Sequence, residues 1–233
     1  MTNEELKELQ KIQSRNVRHL KKVQKNLTMD INNSLLKGDS FKVSLKTNFY
    51  SLLYSSLSEA QFVQILYTPH GFREREINRI KAEGAIFKQW ELMIDIALSK
   101  VGNHTQSQDL VAKHEYLLGI VKEFIEKPQL VRNKIAHGQW LHALNSPMTG
   151  ENKDTSNTIS ALNVVDISKW FKVHQYLCFI VRDLIQSPSK GFHNNYWKYY
   201  TELEDFVNLS RNWTLEKRIE DIKRKYDNRN NKT

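Results

Sequence analysis

Cysteine occurs once in the 233 residues, at Cys178. A lone thiol makes no disulfide within the chain and no cysteine zinc cluster. The staples of small secreted domains are therefore excluded, and a reducing cytoplasm is the expected setting. Glycine and proline are also scarce, at eight and four. So few turn formers disfavour the many short strands of a sandwich or barrel and favour long helices. No apolar run approaches the ~20 residues of a membrane helix, so no membrane partner is expected. The first thirty residues carry charge from Glu4 to Asp30, unlike the apolar stretch of a secretory leader.

Several chemical signatures are missing as well. The chain has no G-x-x-x-x-G-K-[ST] phosphate loop, no G-x-G-x-x-G turn, no G-x-S-x-G elbow and no H-E-x-x-H pair. P-loop, Rossmann, hydrolase-elbow and zincin chemistry thus lose their usual support, and no cofactor or metal is expected. His114-Glu115 begins a zincin-like string that lacks its second histidine. His137 and His142 are five apart, which on one helix would turn the rings to different faces and speaks against a metal site. His19, His70, His104, His174 and His193 are scattered and read as surface or helix-face residues.

What the chain does have is charge, with 35 Lys and Arg against 26 Asp and Glu, a net +9. Residues 1 to 27 hold seven cations and three acids, residues 211 to 233 eight and four, and the middle twenty and nineteen. The basicity belongs to the two ends, where it would guide an anionic partner such as nucleic acid.

Hydrophobic spacing of three and four predicts an all-α chain. One amphipathic helix or two cover residues 3 to 36, ended by Gly38. Further helices are expected from Phe41 to Tyr67, from Arg73 to Val101 with Gly84 as a weak point, and from Ser107 to Glu126. Gly102-Asn103 would close the third with a left-handed cap. Pro128 suits the first turn of a fifth helix reaching toward Pro147. Residues 145 to 158 read as a polar loop and 159 to 165 as a short strand, with Asp166 capping a helix to Gln186. The stretch 192 to 209 is aromatic-rich, including Phe192, Tyr196, Trp197, Tyr199, Tyr200 and Phe206. Stacking of RNA bases is one use for it and helical core packing the commoner one. Thr214 would cap a basic helix to about Tyr226. This divides the chain into a basic amphipathic helix (1–38), a helical core (41–188) and an aromatic and basic extension (192–233).

One string stands out: Leu130-Val131-Arg132-Asn133-Lys134-Ile135-Ala136-His137-Gly138-Gln139-Trp140. Arginine followed by a polar residue, with four residues between Arg132 and His137, resembles the signature of the HEPN family (higher eukaryotes and prokaryotes nucleotide-binding). Asparagine directly after the arginine, an apolar residue before Ala136, and Ala-His-Gly followed by an aromatic carry the likeness further. It covers roughly residues 41 to 188 and implies a HEPN-like helical bundle, with the N-terminal helix and C-terminal basic region as additions.

The chemistry of these side chains agrees with what the resemblance implies. Metal-free RNA cleavage needs a group to take the proton of the ribose 2′-OH, one to protonate the departing 5′-oxygen, and positive charge on the pentavalent phosphate. Histidine, with an unperturbed pKa of about 6.5, suits both proton roles. Arginine offers a permanently charged fork to phosphate oxygens. Asn133 and His137 share a helical face, whereas Arg132 lies about 140° round from His137. Either Gly138 lets the helix distort, or a second copy completes the site. The family takes the second route, a homodimer with a composite cleft.

By that resemblance Arg132 holds the scissile phosphate, His137 acts as base or acid, and Asn133 orients the phosphate or His137. The products would be a 2′,3′-cyclic phosphate and a 5′-OH. The implied setting is a toxin–antitoxin or antiviral-defence ribonuclease acting on RNA such as tRNA or mRNA, silenced or activated by a partner. The alternative is a HEPN module that binds RNA or protein without cleaving.

Overall fold

The computed structural model describes residues 2–103, 105–186, 188 and 197–230. Thr2 opens α1 (Asn3–Leu36) with a capping box: its hydroxyl accepts from the Glu5 N–H, and the Glu5 carboxylate accepts from the Thr2 N–H. Gly38, at φ +65°, ends it. The Gly38 N–H reaches the Leu35 carbonyl and the Asp39 N–H the Ser34 carbonyl, the paired bonds of a Schellman motif. Asp39 then caps α2 (Ser40–Leu66) through the Lys42 N–H. The two helices lie antiparallel along their length. Gln13 donates to the Ala60 carbonyl, Thr28 to the Tyr50 hydroxyl, and Lys46 to Ser34. Leu6, Val17 and Ile31 bury the inner stripe of α1.

After α2 the chain turns through Thr68 to Gly71 into α3 (Glu74–Ala82) and α4 (Ile86–Ser99). These replace the single helix read from Arg73 to Val101. Glu83 and Ala85 are extended on either side of Gly84, and Gln89 folds back to donate to the freed Glu83 carbonyl. Apolar spacing ran on across the break because Ile77 and Ile80 of α3 face the same core as Trp90, Met93 and Ile94 of α4. Gly102 is not left-handed either. Its N–H bonds the Leu98 carbonyl in an ordinary turn, and only Gly38 and Gly138 have positive φ among the described glycines.

From Gln108 to Ala136 the chain is one helical rod: α5 (Gln108–Val121), a π-helical turn (Lys122–Glu126) and α6 (Lys127–Ala136). Pro128 sits early in α6, as expected, but without a preceding loop. Proline has no N–H, and its ring crowds the carbonyl four residues back, here that of Phe124. The wider π turn accommodates the ring. The buried Tyr54 hydroxyl of α2 donates to the Phe124 carbonyl, replacing the missing helical donor. The rod ends at Ala136, eleven residues short of Pro147.

A hairpin-like turn with one isolated bridge, Leu144 to Glu151, leads into α7 (Lys153–Ala161). This corrects both the loop expected to residue 158 and the strand expected at 159 to 165. Asn152 caps α7 through the Thr155 N–H, which makes the polar run a helix start. Asn163, not Asp166, caps α8 (Val164–Gln186), accepting from the Val165 and Asp166 N–H groups.

The main core lies between α2, α4, the α5 rod and α8, with Trp90, Ile94, Leu117 and Val181 fully buried. A second cluster joins α1, α2 and the start of α8, and a small third one lies under α6. Next, α9 (Trp197–Ser210) packs on α8. Tyr199 stacks on Phe179, Tyr200 on Tyr116 and Phe206 on Tyr176, so these aromatics serve packing. Phe192 and Tyr196 lie outside the described residues. Finally, α10 (Leu215–Asn230) lies against the C-terminal end of α1, with Arg218 donating to Asn32.

Removing the Tyr54 hydroxyl strands a buried carbonyl that Pro128 cannot serve. Tyr54→Phe is therefore expected to lower unfolding free energy by about 1–3 kcal/mol. In a Pro128→Ala background the restored N–H offers the Phe124 carbonyl a donor, and the loss shrinks. Denaturant unfolding of the four proteins in a double-mutant cycle reads this, and an equal loss in both backgrounds would show that the two positions are not coupled.

Candidate active site

Helix α6 has two unlike sides. Pro128, Val131 and Ile135 point inward, the last two packing with Ala143 and Ile159 in the small third core. Leu130, Asn133 and His137, spaced by three and four, form one exposed stripe. Leu130 is 61% exposed. Arg132 lies on the opposite flank, partly buried against α2.

There its Nη2 donates to Glu59 Oε1 at 2.5 Å. Its buried Nε has no hydrogen-bond partner. The pair keeps access to water on both sides, so it contributes under about 1 kcal/mol to stability, and its main consequence is to fix the direction of the guanidinium. Sequence reasoning missed Glu59, which is 73 residues from Arg132. The signal was present nonetheless: Glu59 is the only Asp, Glu, Lys or Arg between Lys46 and Arg73.

His137 is the cap residue of α6, with φ −91° and ψ 19°. Gly138, at φ +79°, follows in the left-handed region. Its N–H bonds the Ile135 carbonyl and the Gln139 N–H bonds that of Lys134, a second Schellman motif. The Trp140 indole donates to the Ile135 carbonyl at 2.8 Å and meets Phe49 of α2 edge-to-face. The Ala-His-Gly-x-Trp portion of the string thus builds the helix end. Gly138 closes α6 after His137 and leaves the turn before it regular. Helix distortion, the first of the two expected routes, does not join Arg132 to His137. Within one copy these residues remain on different sides, and Asn133 and His137 make no side-chain hydrogen bond among the described residues.

The turn after α6 forms a wall beside the stripe. Lys134 donates to the Leu144 carbonyl at 2.6 Å, and the Leu144 N–H donates to Gln139 Oε1 at 2.7 Å. Asn145 Oδ1 accepts from Thr149 and Gly150, and the Asn152 N–H bonds the Ala143 carbonyl. His142 is on this turn, not on a helix with His137, and its Nδ1 lies 2.8 Å from Glu151. Hydrogen bonds from His142 and Ser156 hold the Glu151 carboxyl below the usual range. Leu141 and Met148 are left largely exposed, at 69% and 70%.

Other histidines lie elsewhere. His174, read as a surface or helix-face residue, is 1% exposed against Trp90 and Tyr54. Burial, aided by the charge of Lys21, pushes its pKa down to about 3, so it is neutral. His114 pairs with Asp95, and His19 and His70 are exposed. His104 and His193 lie outside the described residues.

Comparison with protein-family models, curated proteins and solved structures found no match.

An added Cβ at Gly138 would meet nothing within 4 Å, so a substitution there encounters only the backbone penalty of positive φ. Gly138→Ala is expected to lower stability by about 1–2 kcal/mol, and Gly138→Asn by less, because asparagine tolerates this region. Thermal unfolding monitored by circular dichroism measures both. Equal losses would contradict the conformational origin.

Proposed function

We propose that this chain is a metal-independent endoribonuclease of the HEPN type, working as a homodimer whose two α6 helices face each other. The observation that carries the reading is the split presentation on α6: a charge held in place by Glu59 on one flank, and an unengaged histidine beside exposed Leu130 on another. One copy has the required groups but does not assemble them, and the exposed stripe with Leu130 at its start supplies a surface for the second copy.

In such a cleft one His137 takes the 2′-OH proton as the 2′-oxygen attacks phosphorus. The P–O5′ bond breaks, and the partner copy's imidazolium gives its proton to the leaving oxygen. Arg132 neutralises the charge that grows on the phosphoryl oxygens, its direction set by Glu59 as a positioning residue. Asn133, one turn before His137, orients phosphate or imidazole. The balance is one proton taken, one proton given, and a 2′,3′-cyclic phosphate with a 5′-OH released. Metal enters no step.

A toxin or antiviral-defence role, with a partner that restrains or triggers the dimer, fits an enzyme whose site depends on assembly. Its substrate class is RNA, because only a 2′-OH supplies the internal nucleophile.

Incubation with total RNA in EDTA tests this. Wild type is expected to leave 2′,3′-cyclic phosphate ends. Arg132→Ala and His137→Ala should each lose about 100-fold or more, within the usual range for acid–base and charge-stabilising groups. Leu130→Glu is expected to give a folded monomer by light scattering that no longer cuts. Cleavage by all variants at the wild-type rate would refute the site. RNA binding by a dimer that never cleaves would establish the non-catalytic module.

A further inference from the structure

A cleft of about 310 Å³ opens between α1, α2 and α8, on the other side of α2 from the Arg132 helix. Three cations border it: Arg18 and Lys21 from α1, and Arg182 from α8. Among the described residues no carboxylate lines it. Three positive charges bordering one concavity with no acid in its lining make it a place that favours an anion.

The polar wall carries a second, independent indication. Most of its groups satisfy one another: Gln64 donates to Ser14 at 2.8 Å, Gln10 to Thr68 at 3.4 Å, and Arg18 Nε to the Ser14 carbonyl at 3.3 Å. Gln61 does not. It is only 8% exposed and lines the cleft, yet its side-chain amide makes no hydrogen bond among the described residues. An amide that lines the cleft without a protein partner leaves its N–H groups for a ligand bound there.

Arg182 is positioned from both sides. Asp183 Oδ1 stands 3.8 Å from its Nε, and the Phe179 ring lies 5.1 Å from its guanidinium carbon. Its terminal nitrogens remain available. The charges also reach into the cleft: burial raises the pKa of Cys178 at its floor, and the positive fields of Lys21 and Arg182 oppose that rise.

We infer that this cleft binds a phosphate monoester, with Arg18, Lys21 and Arg182 on its oxygens and the Gln61 amide donating from below. A monoester carries about −1.5 to −2 at neutral pH, a closer match to three cations than a diester's single charge. The volume is at the small end of the roughly 300–1,000 Å³ of ligand pockets, enough for a phosphoryl group and a small attached body. The monoester could be a free small molecule or the 5′-phosphorylated end of an RNA. The cleft shares no residue with the α6 site, so the two readings stand or fall separately.

Calorimetric titration of the full chain with inorganic phosphate, at ionic strength held constant with chloride, tests the site. Wild type should bind. Arg182→Gln and the double variant Arg18→Gln/Lys21→Gln should each weaken binding at least tenfold, and Gln61→Leu about threefold or more. Arg182→Lys should recover part of the affinity. Arg15→Gln/Lys25→Gln removes the same charge from the exposed face of α1 outside the cleft and should bind as wild type. Equal phosphate binding by the cleft and control variants, or none by folded wild type, overturns the site.

Two paired ligands then identify the source. AMP binding more tightly than adenosine, with no gain from a 5′-phosphate on an oligoribonucleotide, means a free phosphomonoester. A gain confined to the 5′-phosphorylated oligonucleotide over its 5′-hydroxyl twin means an RNA end. A gain in neither pair overturns the monoester assignment.

Discussion

The missing N–H of Pro128 is the constraint on which the rest of this structure turns. A proline inside a continuous helical rod must be reconciled with the carbonyl four residues earlier. Here the chain does so with the π turn at Lys122–Glu126 and the hydroxyl of Tyr54. A π turn holds an extra residue, so the helix beyond it is rotated relative to the helix before it. Ahead of the turn, Leu117 and Val121 face the main core; beyond it, Val131 and Ile135 face a different and smaller cluster under the 140s. That change of aim places Arg132 beside α2 and leaves Leu130, Asn133 and His137 outside. Tyr54 thus couples the interior of α2 to the direction of α6, and Glu59, five residues further along α2, receives the arginine that results.

The same dependence explains the unusual composition of α2. Between Lys46 and Arg73 it carries serines, aromatics and aliphatics with the single acid Glu59. A helix packed by α1 on one side and by α6 and α8 on others has little solvent face left for charge. An acid kept there needs a partner or water, and Arg132 supplies the partner. The pair adds little stability but sets geometry, the arrangement expected where charge position matters more than binding energy.

Long periodic helices were legible from spacing alone, since α1, α2 and α8 each bury a regular stripe against neighbours. Glycines were less so. Gly38 and Gly138 both adopt positive φ and close helices with the same pair of bonds, whereas Gly84 marks a break between two helices and Gly102 an ordinary turn. Composition cannot separate these, because the distinction lies in which carbonyls remain to be satisfied. The polar run before residue 162 hid a helix start for a related reason: asparagine and serine favour both loops and N-caps. At the site, the string from Arg132 to Trp140 was visible and its division of labour was not. Gly138 and Trp140 finish the helix, and Glu59, distant in sequence, orients the arginine.

Charge shows most clearly what folding adds to a sequence. The net +4 of residues 1 to 27 and the net +4 of residues 211 to 233 lie almost two hundred residues apart along the chain. Fields in physiological salt fade over about 8 Å, so two basic segments at opposite ends of a molecule would act independently. Here α10 is seated beside the C-terminal end of α1, by Leu215 and by the Arg218 to Asn32 bond, and runs on past Asn33 to Lys37, whereas the cations of the first segment run from Lys7 to Lys25. The middle of the chain is close to neutral, with twenty cations against nineteen acids. Recognition is left to groups held at fixed distance by packing, the arginine on Glu59 among them.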